Sequence, residues 1–361
     1  MKLLLLLVLA LLYPSGAFAA GARMLAFYEV LRADSPPALD GDLSDACWKN
    51  AGISTTYYEY LKPTPGPGVL HSELRMLYDD KGIYLGIVNY DDNLDKIVAE
   101  RKRRDDPEIW RDDCAEIYFD SHGAGVGYHK FVTNALATRG DMRRIDAAIS
   151  ENNWSANGWR VQTGKTKDAW VIEAFFPWSD LGDEAKAGDL WMFCHVRYAF
   201  SSGGFQGVTW APGGYYNAPE NFGFLLFGGG KPAAPEAIGK ILSQRVTPPW
   251  RLTIPSGFLD CTDANKTDFR TPDSLTLQKK ERIEKLLLDI GKLTEASGND
   301  NAEIKKLREE SGELAENFKQ TKAIEATANN AMKILSDLEA LEGKLTETYW
   351  QARIEALLET I

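Results

Sequence analysis

Short runs of alternating apolar and polar residues fill the chain to about residue 227, after which the apolar residues take up a helical spacing. The clearest run is WRDDCAEIYFD, residues 110–120. In a strand, Ala115, Ile117 and Phe119 share one face, while Cys114, Glu116, Tyr118 and Asp120 share the other. The first set suits a core; the second presents a carboxylate and a phenol. Residues 53–61 (ISTTYYEYL) are rich in β-branched and aromatic side chains and predict a strand. Residues 72–77 and 83–90 flank the polar turn DDKG and predict a hairpin. Further strands are expected over 128–135, 170–176, 190–200, 205–210 and 222–227, with Gly- or Pro-containing turns between several of them. Recurrent short strands with little helix predict a mainly β domain over residues 34–228. The expected form is a two-sheet antiparallel β-sandwich, jelly-roll-like.

Residues 229–272 change composition at Gly228-Gly229-Gly230 and hold much Pro, which predicts a linker; Trp250, Phe258 and Cys261 mark a part of it that packs. From residue 273 the spacing is three and four. Ile283, Leu286, Ile290 and Leu293 form one stripe, Ile304, Leu307, Ser311, Leu314 and Phe318 another, and Leu335, Leu338, Leu341 and Leu345 a third. A break, SGND, lies at 297–300. Residues 273–361 therefore read as an α-helical hairpin or coiled coil. Its apolar stripes pack helices on each other, on a second copy of the chain in a homo-oligomer, or on another partner.

Residues 1–19 stand apart. Lys2 precedes a run of apolar residues, and Ala17-Phe18-Ala19 puts small side chains where a signal peptidase needs them. Cleavage after Ala19 and export to the periplasm, envelope or medium are expected. The apolar run is too short to cross a bilayer core of ~30 Å as a helix. The net charge of −11 repels phosphate backbones and argues against nucleic acid. Cys47, Cys114, Cys194 and Cys261 allow three pairings in an oxidising compartment, and buried free thiols are an equal alternative. No CxxC and no metal-ligand spacing occurs.

Trp110 carries the first candidate chemistry. A large aromatic at a strand mouth, beside Arg111, Asp112 and Asp113, can give a sugar an apolar face to stack on and partners for its hydroxyls. A tryptophan that caps the core fits the same residues. Glu116 can meet a ligand or pair with an arginine such as Arg197.

Five pieces in order carry a resemblance: LDGDLSDACW, LRMLYDDKGIYLGIVNYD, WRDDCAEIYFD, WVIEAFFPWSDLG and WAPGGYYNAPENFGFLLF. From about residue 35 to 227 the chain resembles the family 9 carbohydrate-binding modules of exported bacterial proteins. The resemblance implies a two-sheet β-sandwich that holds sugars without cleaving them and commonly accompanies glycoside hydrolases in polysaccharide catabolism. It implies two aromatics clamping a sugar, matched here by Trp110 and by Tyr216 with Tyr215 beside it, and a carboxylate matched by Glu116. An arginine of sugar-clamping members aligns with Val132, which leaves Asn134 as the nearest polar candidate. Many members carry structural calcium; Asp91 and its neighbours are the oxygen donors to consider, or else a solvated acidic turn. No other cofactor is expected.

Three other functions compete. A glycoside hydrolase needs two carboxylates ~5–10 Å apart, for which Glu116 and Glu173 are the nominees. A haem-binding sandwich needs axial ligands, and only His71, His122, His129 and His195 are available beside the methionines. An envelope assembly protein would work through the helical tail.

Overall fold

A computed structural model describes residues 22–62, 66–254, 256–263, 266–296, 301–326 and 331–358. The expected signal segment, the centre of the Pro-rich loop at 63–65 and the SGND break lie outside the described residues. The chain divides into two compact units, the first built on strands and the second on helices.

The pivot of the first unit is β2, Phe27–Arg32. Its first half pairs in parallel with β14 (Gly223–Phe227), and its Leu31 and Arg32 pair in parallel with β4 (Ser72–Tyr78). One strand thus joins two ladders. The first carries β14, β12 (Leu190–Ala199), β6 (Cys114–Asp120), β7 (Tyr128–Asn134), β8 (Arg139–Arg144) and β9 (Ser150–Glu151). The second carries β4, β5 (Gly82–Tyr90), β11 (Ala169–Pro177) and β10 (Arg160–Lys165). On the edge of the first, β13 (Gln206–Thr209) pairs with β12 and with β3 (Tyr58–Glu59). Two separate, wholly antiparallel sheets were expected. Instead a single 13-stranded sheet runs through β2, with parallel pairing on both of its sides. The strand begins before residue 34, where the sequence suggested the domain to start.

The two arms of this sheet meet through aromatic rings. Phe119 of β6 lies 5.1 Å from Phe176 of β11, and Phe131 of β7 lies 4.7 Å from the same ring. Trp159 stacks on Phe176 at 5.6 Å. Each buried aromatic removes roughly 150–250 Å² from water, so this cluster supplies much of the driving force for closing the arms. The DGDLSDACW stretch seals one end. Glu173, fully buried on β11, accepts hydrogen bonds from the backbone N–H groups of Asp40 and Gly41 and from Trp48 Nε1, at 2.9, 3.1 and 3.0 Å. Burial pushes its carboxyl above the usual range, and these three donors offset only part of that rise. Gly41 sits at φ +86°, and a Cβ there would lie 2.7 Å from the Thr163 carbonyl carbon. The two sequence pieces are therefore the two halves of one anchor.

Residues 229–272 are more ordered than a linker. They form α2 (Pro235–Ser243), following the short α1 (Trp178–Leu181), and strands β15 (Trp250–Ile254), β16 (Gly257–Asp263) and β17 (Lys266–Arg270). With β1 (Arg23–Leu25) these strands make a four-stranded sheet in the order β1-β15-β16-β17. Trp250 and Leu252 alternate inward, which is the packing that Trp250 hinted at.

The second unit contains three long helices among the described residues: α3 (Pro272–Ala296), α4 (Ala302–Lys322) and α5 (Ala331–Leu358). The Asn301 side chain accepts from the N–H groups of Glu303 and Ile304 and so starts α4. Ile283 and Ile290, Phe318, and Ile334, Leu338, Leu341 and Leu345 form its core. Where a helical hairpin or coiled coil was expected, three helices pack together, because Phe318 of the middle helix enters the same core as Ile283, Ile290 and Leu338. No helix among the described residues is long and apolar enough to cross a membrane. All four cysteines are buried free thiols.

Candidate functional site

The alternation in β6 holds. Ala115, Ile117 and Phe119 face the aromatic core, and Glu116 and Tyr118 occupy the other face. Register then decides who joins them. Tyr118 is opposite Lys130 on β7, Glu116 is opposite Val132 on β7 and Val196 on β12, and Cys114 is opposite Tyr198 on β12. Lys130, Val132, Val196 and Tyr198 therefore share the face of Glu116. Arg197 points the other way. It lies in the core, 3.1 Å from Asp91, and is not the partner of Glu116.

Lys130 is that partner, with Nζ 2.5 Å from Glu116 Oε1. Glu116 is only 3% exposed. Its other oxygen accepts hydrogen bonds from the phenols of Tyr118 and Tyr198. Burial and the adjacent carboxylate push both phenols well above their ordinary range, so both stay protonated donors. The Tyr198 hydroxyl also lies 2.6 Å from the Tyr60 hydroxyl, which continues the polar line outward.

Loops close over this face. Tyr60 follows β3; Phe205 sits in the β12–β13 turn; Tyr215 and Tyr216 lie between β13 and β14. Tyr216 is 43% exposed, and Lys130 Nζ lies 6.0 Å from its ring centroid. Its backbone carbonyl accepts from Tyr128 Oη at 2.7 Å and from Arg144 at 2.9 Å. Two donors on that carbonyl anchor the loop backbone from which the exposed ring projects. Tyr215 packs edge-on against both Tyr216 and Tyr60.

Trp110 stands on a 3₁₀ turn, Ile109–Arg111, just before β6. It is 43% exposed and does not cap the core; the buried Ile109 anchors the turn instead. The Arg111 guanidinium lies 5.0 Å from the Trp110 ring. The next two residues explain why the tryptophan projects. Asp112 accepts from the N–H groups of Glu100 and Arg101, from the Arg101 guanidinium and from the Asn134 amide. Asp113 accepts from the N–H groups of Val98 and Phe200. Two buried carboxylates thus tie the incoming loop to β7 and β12.

Asn134 leaves the set of ligand-binding candidates. It is fully buried, its amide donates to Arg101 O and Asp112, and its oxygen accepts from the N–H groups of Leu136 and Thr138. Those four bonds use its capacity. Lys130, one pleat from Val132, brings a cation to the same face. Sequence reasoning overlooked Lys130, Tyr198 and Tyr60. Lys130 had a readable signal, since it shares strand parity with Val132 and Asn134. Tyr60 had none, because it reaches the site through a β3–β13 pairing between distant segments.

The model of the carbohydrate family 9 binding domain-like family matches residues 39–225, more than half of the chain. The chain belongs to this family. Solved structures similar to it include a family 9 carbohydrate-binding module from Caldicellulosiruptor kristjanssonii in complex with cellotriose. That likeness has 14% identity and a TM-score of 0.42, covering 58% of this chain and 96% of that one. A family 9 carbohydrate-binding module from the same organism in complex with glucose gives 13% identity and a TM-score of 0.42, covering 57% of this chain and 99% of that one. No curated protein matches the chain.

Within the family frame, calcium finds no fit at Asp91. Its carboxylate holds the Arg197 guanidinium and accepts from Ser201 Oγ at 2.9 and 2.8 Å, so a cation would have to displace a buried guanidinium. Among the described residues no group of three or more His, Cys, Asp or Glu converges as a metal site.

Proposed function

We propose that this family 9 domain holds a mono- or oligosaccharide, without breaking a bond, where Lys130 and Tyr216 reach the surface at the rim of the loop-covered face of β6, β7 and β12. Tyr216 gives a pyranose an apolar face to stack on, and Lys130 with Glu116 beneath it addresses the hydroxyls. Trp110, exposed before the same strand, is the second aromatic wall. The observation that carries this reading is Tyr216: an exposed ring on a loop anchored at its own carbonyl, next to a buried ion pair. Holding an aromatic out in water offsets part of the folding free energy, and a stacking ligand returns it.

Hydrolysis is not proposed. Glu173 spends its carboxylate on Asp40, Gly41 and Trp48, and Glu116 spends its own on Lys130 and two phenols. Neither stands free to act as general acid or nucleophile. We further propose that the protein is exported after cleavage near Ala19 and serves polysaccharide catabolism. The helical unit joins it to a second copy or another partner. Leu277 and Leu288 of α3, 54% and 58% exposed and eleven residues apart, support that role by sharing one helix face.

A glycan array probed with the intact chain and with Tyr216→Ala tests the central reading. Carbohydrate signal in the parent that is lost in the folded variant supports it; signal unchanged by the substitution sinks it.

A further inference from the structure

Tyr216 is one end of a row of rings. Tyr216 packs against Tyr215 with centroids 5.5 Å apart, Tyr215 against Tyr60 at 6.1 Å, and Tyr60 against Phe205 at 6.3 Å. Only the ends are open: Tyr216 is 43% exposed and Phe205 51% exposed, while Tyr60 and Tyr215 are half-buried. Phe205 is not a stray apolar side chain. It also packs against Tyr198 and Phe200, each with centroids 5.5 Å apart. Beneath it the backbone is cut away: a Cβ on Gly207 would lie 2.9 Å from Phe205 Cζ and 3.1 Å from Tyr60 Cβ and Cδ1. The missing side chain lets both rings lie down on β13.

Along this row runs a line of polar atoms. The Tyr60 hydroxyl bonds that of Tyr198, and the Tyr198 hydroxyl reaches Glu116 at 3.2 Å. The open ring faces suit the apolar C–H face of a pyranose, and the half-buried Tyr60 hydroxyl, backed by the buried Tyr198 and Glu116, is the outermost polar atom of the line for a sugar hydroxyl. The row offers such faces at two open positions, three ring-to-ring steps apart.

We infer that Phe205, seated with Tyr60 over Gly207, forms a second subsite that holds a further sugar unit of the same chain, so the ligand class is an oligosaccharide rather than a lone monosaccharide. The inference rests on the sugar-binding reading given above. It requires affinity to grow with chain length, and the growth to depend on Phe205.

The test is titration calorimetry on the intact chain with glucose, cellobiose and cellotriose, and with xylose, xylobiose and xylotriose. The parent, Phe205→Ala, Phe205→Trp, Gly207→Ala and Tyr216→Ala are compared. The parent is expected to bind the trisaccharide of its preferred series more tightly than the monosaccharide. Phe205→Ala should weaken the trisaccharide about fivefold and leave the monosaccharide unchanged, the size expected for one lost stacking contact. Phe205→Trp should keep the length dependence, and Gly207→Ala should reduce it by lifting both rings. Tyr216→Ala should weaken every length. If the parent binds sugars but Phe205→Ala binds all lengths as the parent does, the second subsite is wrong while the sugar site stands. If the parent binds no member of either series, the inference fails together with the reading beneath it. Phe205 is half in solvent, so circular dichroism of Phe205→Ala should match the parent.

Discussion

Replacing Lys130 by methionine isolates the electrostatics under the site. Met keeps most of the stem and removes the cation, which strands Glu116 at 3% exposure. Breaking a buried pair by removing one partner costs ~3–5 kcal/mol, because the remaining charge is left uncompensated. Tyr118 and Tyr198 still donate to Glu116, and hydrogen bonds to a charged group contribute ~1.5–3 kcal/mol each, so the low end of the range, about 3 kcal/mol, is expected. Glu116→Gln is different. Its amide oxygen still accepts from a phenol. The Lys130 side chain is 20% exposed and can swing its ammonium into water. That variant should lose only about 1 kcal/mol. Combining the two removes both charges, so the double variant should be more stable than Lys130→Met alone, with a coupling of about 2 kcal/mol. Urea unfolding of the intact chain, followed by tryptophan fluorescence, is the assay. Of the ten tryptophans Trp350 alone lies beyond residue 250, so the signal reports the strand unit. In a domain of this size 3 kcal/mol corresponds to a melting shift of roughly 6–12 °C. A Lys130→Met loss below about 1 kcal/mol, or a double variant no better than Lys130→Met, would refute the claim that the pair is a coupled buried unit.

Other perturbations test separate links. Acid should expose His195, which burial and Arg197 hold down at about 3. The fold keeps it neutral while the unfolded chain takes a proton below about 6.5, so its contribution is present above that pH and falls away as pH drops toward 3. From pH 6.5 to 4 that loss is about 3 kcal/mol. His129, held at about 4 mainly by burial, adds the same sign, while the raised carboxylates of Asp113, Asp120 and Glu173 act oppositely. The measurement is therefore the difference between parent and His195→Gln in urea unfolding at each pH; parallel curves would contradict it. Gly41→Ala should cost at least about 2 kcal/mol, since the added carbon meets Thr163 and a positive φ; thermal melts within a degree of the parent would show the anchor is slack. Trp110→Ala should leave stability within about 0.5 kcal/mol and weaken sugar binding; a large stability loss with unchanged binding would make it a packing residue after all.

Much of the site's scaffold was readable because period-two patterning is local. Glu116 and Phe119 differ in parity, and parity assigns a strand's faces whatever lies across from them. WVIEAFFP is readable as a strand ended by a proline, but Glu173 in its middle stands in the sequence as a hydrolase nominee, because the Asp40, Gly41 and Trp48 donors that occupy it come from a distant segment. What patterning could not give is pairing between distant segments. The sequence of β2, FYEVLR, contains nothing that says it will join two ladders; that depends on β14 and β4 finding its two halves. The same gap hid Tyr60 and made Arg197 a plausible partner for Glu116, when it lies on the opposite face of β12. Asn134 misled because a buried amide that satisfies its own turn looks, in sequence, like one waiting for a ligand. The region after residue 230 reads as linker because it holds most of the remaining Pro and shows little periodicity, yet Trp250 and Leu252 alternate and pack.

The most direct test is calorimetric titration of the intact chain, and of Tyr216→Ala, with a panel of mono- and oligosaccharides. The account predicts measurable binding of at least one sugar by the parent and its loss, or a drop of about tenfold or more, in a variant that melts like the parent. Binding that survives the substitution unchanged, or a folded parent that binds no sugar in the panel, would contradict it.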